Sequence, residues 1–291
     1  MPTILMCSPA HIRIENEIND WMDDSRQPDA KLAVKHWNDL VSVYKSLGVE
    51  IEYIRPHPDF QDMCFTANGG FFFDGKFILS RFGKKAQKTR QGEIGLYANM
   101  FWERTKMVHP EVYTVPKTIS YEGQGDTVLV PRNGRRAGER RDSFLFFGHG
   151  QGRTCKRAGK VLEKILDIEA IPLKLVNPKF YHLDTAMVFL SPNILMYYPP
   201  AFRKESARTI KRVAKNRNLV LLPVGARDAY NFVCNAVHIR RTIVTQKMSA
   251  GLRRKLARLG IKSVKEIEMT ETRKNGGAVR CLTLFLSREF D

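Results

Sequence analysis

The chain has 291 residues, 43% of them apolar and 10% aromatic, enough to bury a full core and more than an average single domain needs. No run of about 18 apolar residues occurs, which excludes a helical membrane span. The net charge is +18, with basic runs at Lys84 to Arg90, Arg132 to Arg141, Lys204 to Arg217 and Arg253 to Arg258. These runs lack interleaved aromatics of the RNA-recognition kind, so they are expected to be solvated faces, and any nucleic-acid binding to be nonspecific.

The N-terminus, Met1-Pro2-Thr3-Ile4-Leu5-Met6-Cys7, lacks the basic start of a signal peptide and reads as a strand. Ala30 to Leu47 carries Val34, Trp37, Leu40, Val41 and Tyr44 at helical spacing and ends at Gly48. Glu50 to Ile54 is a predicted strand, and Phe71 to Leu79 a hairpin turning at Asp74-Gly75. A helix over Glu93 to Arg104, with Ile94, Tyr97, Met100 and Phe101 inward, precedes strands at Thr127–Val130 and Ser143–Phe147. Thr154 to Leu166 is the next helix, followed by strands at Ile171–Leu175, Thr185–Leu190 and Asn193–Tyr198. Glu205 to Lys215 is a helix; Asn218–Leu222, Phe232–Ile239 and Thr242–Thr245 read as strands. Ser249 caps a helix on Leu252, Leu256 and Leu259 that stops at Gly260, and strands at Ser263–Ile267 and Leu282–Leu286 close the chain.

Five helices thus recur at intervals of roughly 45 to 60 residues, each followed by short strands. Such repetition implies a repeating α/β architecture, and no G-x-G-x-x-G follows the first strand to suggest a dinucleotide site. No linker-like segment divides residues 1–291, so one domain is expected. The five cysteines, Cys7, Cys64, Cys155, Cys234 and Cys281, form neither a disulfide framework nor a zinc spacing, which points to a reducing, cytoplasmic setting.

Several polar residues interrupt strand-like segments. Cys281 follows Gly276-Gly277, where a tight turn enters a strand; alone this fits a buried structural cysteine as well as a nucleophile. Tyr121-Glu122-Gly123-Gln124-Gly125-Asp126 places two carboxylates on a glycine-rich turn. His182 and Asp184 are two apart and are expected to share one face of a strand. Asp62 and Asn68 flank Cys64-Phe65-Thr66-Ala67. A thiol needs a base, and a histidine a carboxylate to orient it, roles that Cys281, His182 and Glu122 fill. Asp184 and Asn68 suit a planar, multi-donor cation such as guanidinium.

These segments resemble the amidinotransferase and guanidino-hydrolase superfamily, the pentein fold. The resemblance rests on Met6-Cys7-Ser8-Pro9-Ala10-His11, Ile18-Asn19-Asp20-Trp21-Met22, Phe65-Thr66-Ala67-Asn68, Glu122-Gly-x-Gly-Asp126, Phe180 to Thr185, Asn231-Phe232-Val233-Cys234-Asn235 and Gly276 to Cys281. It runs from about residue 6 to 286 and is greatest to arginine dihydrolases and dimethylargininase-like hydrolases. It implies a five-bladed α/β propeller with a pseudo-fivefold repeat. It also implies that Cys281 is the nucleophile, His182 the general acid/base, Glu122 its carboxylate partner, and Asp184 the grip on guanidinium. Asn68 matches a substrate contact that is Asn in arginine dihydrolases and Asp in deiminases and dimethylargininases. Arg90 and Arg153 match arginines that hold an α-carboxylate, and Asp62 and Asn19 lie near the amino-acid end. Two basic stretches, Gly83 to Thr89 and Arg132 to Asp142, depart from the family pattern. The implied activity needs no metal or organic cofactor: arginine and two waters give ornithine, two ammonia and carbon dioxide. Alternatives are dimethylargininase or arginine deiminase activity giving citrulline, amidino transfer, and a basic nucleic-acid-associated protein on the same fold.

Overall fold

The structure, a computed structural model, describes residues 1–103, 110–131 and 143–287. The predicted Arg132–Asp142 loop, Arg104 and the Phe101 side chain lie outside the described residues. From the N-terminus, β1 (Thr3–Cys7) is followed by α1 (Ala30–Ser46) and β2 (Glu50–Ile54), which returns parallel to β1. The second unit is the hairpin β3 (Gly70–Phe73) and β4 (Lys76–Leu79), the helices α2 (Lys84–Arg90) and α3 (Glu93–Glu103), and β5 (Glu111–Thr114), parallel to β4. The third is β6 (Thr127–Val130), β7 (Phe144–His149), α4 (Ala158–Leu166) and β8 (Glu169–Lys174). The fourth begins with one helical turn, α5 (Leu183–Ala186), then β9 (Met187–Leu190), β10 (Ile194–Tyr197), α6 (Lys204–Asn216) and β11 (Val220–Pro223). The fifth follows α7 (Ala226–Tyr230) with β12 (Val237–Ile239), β13 (Thr242–Thr245), α8 (Ala250–Arg258) and β14 (Ser263–Glu266). After α9 (Thr270–Lys274), β15 (Leu284–Phe285) pairs antiparallel with β1, so the first blade is assembled from both ends of the chain. Each of the five sheets thus has one antiparallel and one parallel pair, the five-bladed α/β propeller that the resemblance implied.

Local chemistry accounts for the elements. Asp29 caps α1 through Leu32 N (3.0 Å), and Ser249 caps α8 through Leu252 N (3.2 Å). Ala33, Trp37, Leu40 and Tyr44 recur three to four apart and face inward from α1. At the β3–β4 turn, Asp74 and Gly75 both take positive φ (50° and 76°), the primed turn that matches strand twist. The basic residues of α6 and α8 lie on exposed faces opposite Ile210, Val213, Leu252 and Leu256, as expected of solvated runs.

Three expectations need correction. Thr185–Leu190 is not one strand: residues 183–186 form a helical turn, so His182, extended just before it, and Asp184, within it, do not share a strand face. Phe232–Ile239 is a strand only from Val237, because Phe232 takes positive φ (59°) and the chain turns there. The basic stretch after Gly83 is the helix α2, with Ala86 and Arg90 buried, and β5 was not foreseen.

Candidate active site

Every unit enters its first strand through a tight turn, and each turn carries a buried polar residue a few positions ahead of the strand. They are Asn68 before β3, Asp126 before β6, Asp184 before β9, Asn235 before β12 and Cys281 before β15. Backbone and amide bonds knit these turns together. Ala67 N donates to Cys281 O (3.1 Å), and Leu183 N to Asp126 Oδ1 (3.1 Å). Gln124 donates to Thr283 O (2.6 Å) and accepts from Phe285 N (3.0 Å). The fold therefore gathers residues up to 213 positions apart in sequence, the separation of Asn68 from Cys281, into one buried centre.

Cys281 is 4% exposed. Its Sγ donates to Asp184 Oδ2 (3.3 Å) and accepts from Asn235 Nδ2 (3.1 Å). Burial, reinforced by the Asp184 charge, pushes the thiol well above its ordinary value, so the resting side chain is a neutral thiol. Burial also pushes Asp184 up, to about 6, with the His182 charge opposing. Asp184 Oδ1 is buried and has no hydrogen-bond partner among the described residues.

His182 lies between two carboxylates, with Nε2 3.2 Å from Glu122 Oε2 and Nδ1 3.1 Å from Asp126 Oδ2. The contacts are ion pairs rather than directed hydrogen bonds. Burial disfavours the imidazolium, but Asp126 and Glu122 outweigh it and push His182 up to about 9. Glu122 is fully buried; burial opposes its charge, yet Arg153, His182 and the Gly83 N–H (2.9 Å) hold it down at about 2. Arg153 Nη1 is 3.2 Å from Glu122 Oε2, its Nη2 donates to Ile18 O (2.5 Å), and its guanidinium lies over the Tyr181 ring at 4.8 Å. Thr154 completes the set by donating to Asp126 Oδ2 (2.5 Å).

Asn68 is fixed in one orientation. Its Oδ1 accepts from Arg90 Nη1 (2.9 Å) and its Nδ2 donates to Glu122 O (3.1 Å); a flipped amide would face donor with donor and acceptor with acceptor. Arg90 is 3% exposed and paired with Glu93 through Nε (3.0 Å) and Nη2 (2.9 Å), and it also donates to Asp62 O (3.0 Å). Asp62 accepts from Asn275 (2.9 Å) and Gln61 (3.1 Å). Asn19 donates to Asn275 O (3.0 Å) and packs against Gly276, whose φ of +87° and close neighbours leave no room for a side chain: a Cβ there would sit 2.7 Å from Asn19 Oδ1.

All nine predicted site residues are buried in this region. Cys281, Asp184, His182, Glu122, Asn68, Arg90 and Arg153 form one connected network; Asp62 joins it through Arg90, and Asn19 through Asn275 and Asp62. Sequence reasoning quoted Asp126 and Asn235 within motifs but gave no site role to them, nor to Thr154 and Glu93. The recurring polar position ahead of each unit's first strand was the available signal for Asp126 and Asn235.

A buried thiol, a carboxylate with an unpartnered oxygen and a histidine between two carboxylates are thus gathered at one centre by converging turns, in a chain of the pentein superfamily. Within it, the chain belongs to the family described as N,N dimethylarginine dimethylhydrolase, eukaryotic, whose model matches residues 5–288. It is 36% identical over 283 residues to the bifunctional arginine dihydrolase/ornithine cyclodeaminase ArgZ of Synechocystis sp., covering 97% of this chain and 37% of ArgZ. The N(G),N(G)-dimethylarginine dimethylaminohydrolase of Mycobacterium tuberculosis is 32% identical, over 96% of this chain and 84% of its own. The substrate-bound N-terminal domain of an ArgZ cysteine-to-serine mutant, an arginine dihydrolase from the ornithine-ammonia cycle in cyanobacteria, matches with a TM-score of 0.85 at 34% identity over 99% of both chains. Other structures of that domain hold product or a covalently bound reaction intermediate. The chain spans 37% of the length of the bifunctional cyanobacterial relatives.

Proposed function

We propose that the chain is an arginine dihydrolase, converting arginine and two waters to ornithine, two ammonia and carbon dioxide, with the residues 1–291 acting as one catalytic domain. The observation that carries this reading is the Cys281 thiol bonded to a carboxylate, Asp184, whose second oxygen is buried and unpartnered. That oxygen is the acceptor for guanidinium N–H groups. A cation bound there lowers the cost of ionising both Asp184 and Cys281, so the thiolate forms when substrate arrives.

The thiolate attacks the guanidinium carbon, forming the S–C bond. His182, held as imidazolium by Glu122 and Asp126, gives its proton to the departing nitrogen, which leaves as ammonia. The imidazole then takes a proton from water as its oxygen attacks the same carbon, and the S–C bond breaks to release the neutral ureido product. A second passage through the same steps expels the second ammonia and leaves a carbamate that decomposes to ornithine and carbon dioxide. Arg90 and Arg153 are assigned to the α-carboxylate, with Asp62 and Asn19 near the amino group. We place the enzyme in the cytoplasm on the strength of its five free cysteines.

Support for two-nitrogen release comes from Asn68, a neutral amide that presents donor and acceptor to either a guanidinium or a ureido group. The family description favours a second reading, hydrolysis of dimethylarginine. Incubating the protein with arginine and with dimethylarginine, and counting ornithine, citrulline, ammonia and dimethylamine, tests both. Two ammonia and one ornithine per arginine are expected; citrulline as the end product, or dimethylamine release as the faster reaction, overturns the dihydrolase reading.

A further inference from the structure

Asn235 is fully buried, and its side chain makes four contacts around the nucleophile. Its Oδ1 accepts from Arg280 N (3.0 Å) and Cys281 N (3.3 Å). Its Nδ2 donates to Cys281 Sγ (3.1 Å) and to Asp184 O (3.2 Å). One amide thus ties the fifth unit to the turn carrying the thiol and to the turn carrying its carboxylate neighbour. The arrangement has a chemical consequence. The other side-chain contact of Sγ is Asp184 Oδ2, an acceptor, which holds the thiol proton but opposes a negative sulfur. Donors to Sγ are the Asn235 amide and the backbone N–H of Ala278. Tyr181 also interacts with the Cys281 charge, and the cations nearby, His182 and Arg280, act on Asp184. Asn235 is therefore the neutral side-chain donor that favours the thiolate over the thiol.

We propose that Asn235 is a catalytic residue of this site: its Nδ2–H stabilises the Cys281 thiolate, and its Oδ1 fixes the turn so that Sγ faces the reacting carbon. Substitution by leucine, equal in bulk but unable to bond, would leave Arg280 N and Cys281 N without this acceptor. Substitution by aspartate keeps an acceptor for both backbone N–H groups and places an oxygen, in place of a donor, against Sγ. The second change separates the electronic role from the architectural one.

The inference deepens the proposed function and rests on Cys281 being the nucleophile, but not on arginine being the substrate. The test is alkylation of Cys281 by iodoacetamide across a pH series, with the adduct located by mass spectrometry, in the parent and in Asn235→Asp, with circular dichroism confirming the fold. Asn235→Asp is expected to alkylate at least about tenfold more slowly near pH 8, with the rise of rate moved to higher pH and the two proteins converging at the alkaline end. A rate within twofold of the parent at every pH overturns the proposal. If Asn235→Asp does not fold, Asn235→Ser, whose hydroxyl is shorter, is read by the same assay: slowing at low pH supports the proposal, and parental rates overturn it. Arginine turnover in the parent is measured separately. Its absence beside a shifted alkylation profile removes the dihydrolase reading and leaves the role of Asn235 standing; normal turnover beside an unmoved profile does the reverse.

Discussion

Replacing Glu122 by glutamine removes one of the two carboxylates facing His182 while keeping the side chain's shape and an acceptor for Gly83 N–H. Its effect is fixed by the geometry. His182 is raised from 6.5 to about 9 by Asp126 and Glu122 against the cost of burial. A shift of that size is on the order of 3 kcal/mol in favour of the imidazolium. The two carboxylates lie at nearly equal distances, 3.1 and 3.2 Å, and both raise His182 against burial, Asp126 more than Glu122. Loss of Glu122 lets His182 fall from about 9 toward its ordinary value, at a cost to the imidazolium on the order of 1 kcal/mol. Because the folded value is raised, this stabilisation is fully present below 6.5 and is lost as pH rises through about 9. In Glu122→Gln the loss begins at lower pH. The assay is the initial rate of ammonia release from arginine against pH. The alkaline limb, where the proton donor is lost, is expected to fall at lower pH than in the parent, with kcat at its optimum reduced by about 10²-fold or more. The thermal midpoint should also drop, because the Arg153 guanidinium loses its buried anion. An alkaline limb that stays in place refutes the assignment of Glu122 as the group holding the proton on His182.

Three other outcomes follow from the site. Cys281→Ser should abolish turnover while circular dichroism and arginine binding, measured by calorimetry, stay at parental levels; turnover within tenfold would remove Cys281 as nucleophile. In Asn68→Asp, one carboxylate oxygen meets Arg90 and the other is set against Glu122 O, where the amide had donated at 3.1 Å, so the donor needed for the ureido oxygen is gone. Chromatography of products should show citrulline accumulating where the parent makes ornithine, and two ammonia per arginine from the mutant would count against it. Agmatine, arginine without its carboxylate, should be turned over with kcat/KM at least about 10²-fold below arginine if Arg90 and Arg153 bind that group; equal efficiency would reassign both residues.

Much of the architecture was legible because it is local. The apolar spacing of α1, the Asp74-Gly75 turn and the Ser249 cap act over a few residues, and the fivefold recurrence of a helix with short strands is itself a sequence property. Strand and turn were confused at 183–186 and 232–236 because those segments are buried on every side, and burial removes the alternation that distinguishes a strand. The identities of Cys281, His182, Glu122, Asp184 and Asn68 could be picked out from residue chemistry and motif. What each touches could not, since the partners come from other blades: Asp126 for His182, Asn235 for Cys281, Glu122 for Asn68. The sequence by itself determined five repeating units and singled out Cys281, His182, Glu122, Asp184 and Asn68 as chemistry-bearing residues. Only the tertiary structure decided that those residues converge, that His182 sits between two anions, that the thiol rests neutral beside Asp184, and that the Asn68 amide has one orientation. The physical reason is that charge state and hydrogen-bond direction depend on burial and on neighbours brought together across the chain, neither of which is encoded within any one turn.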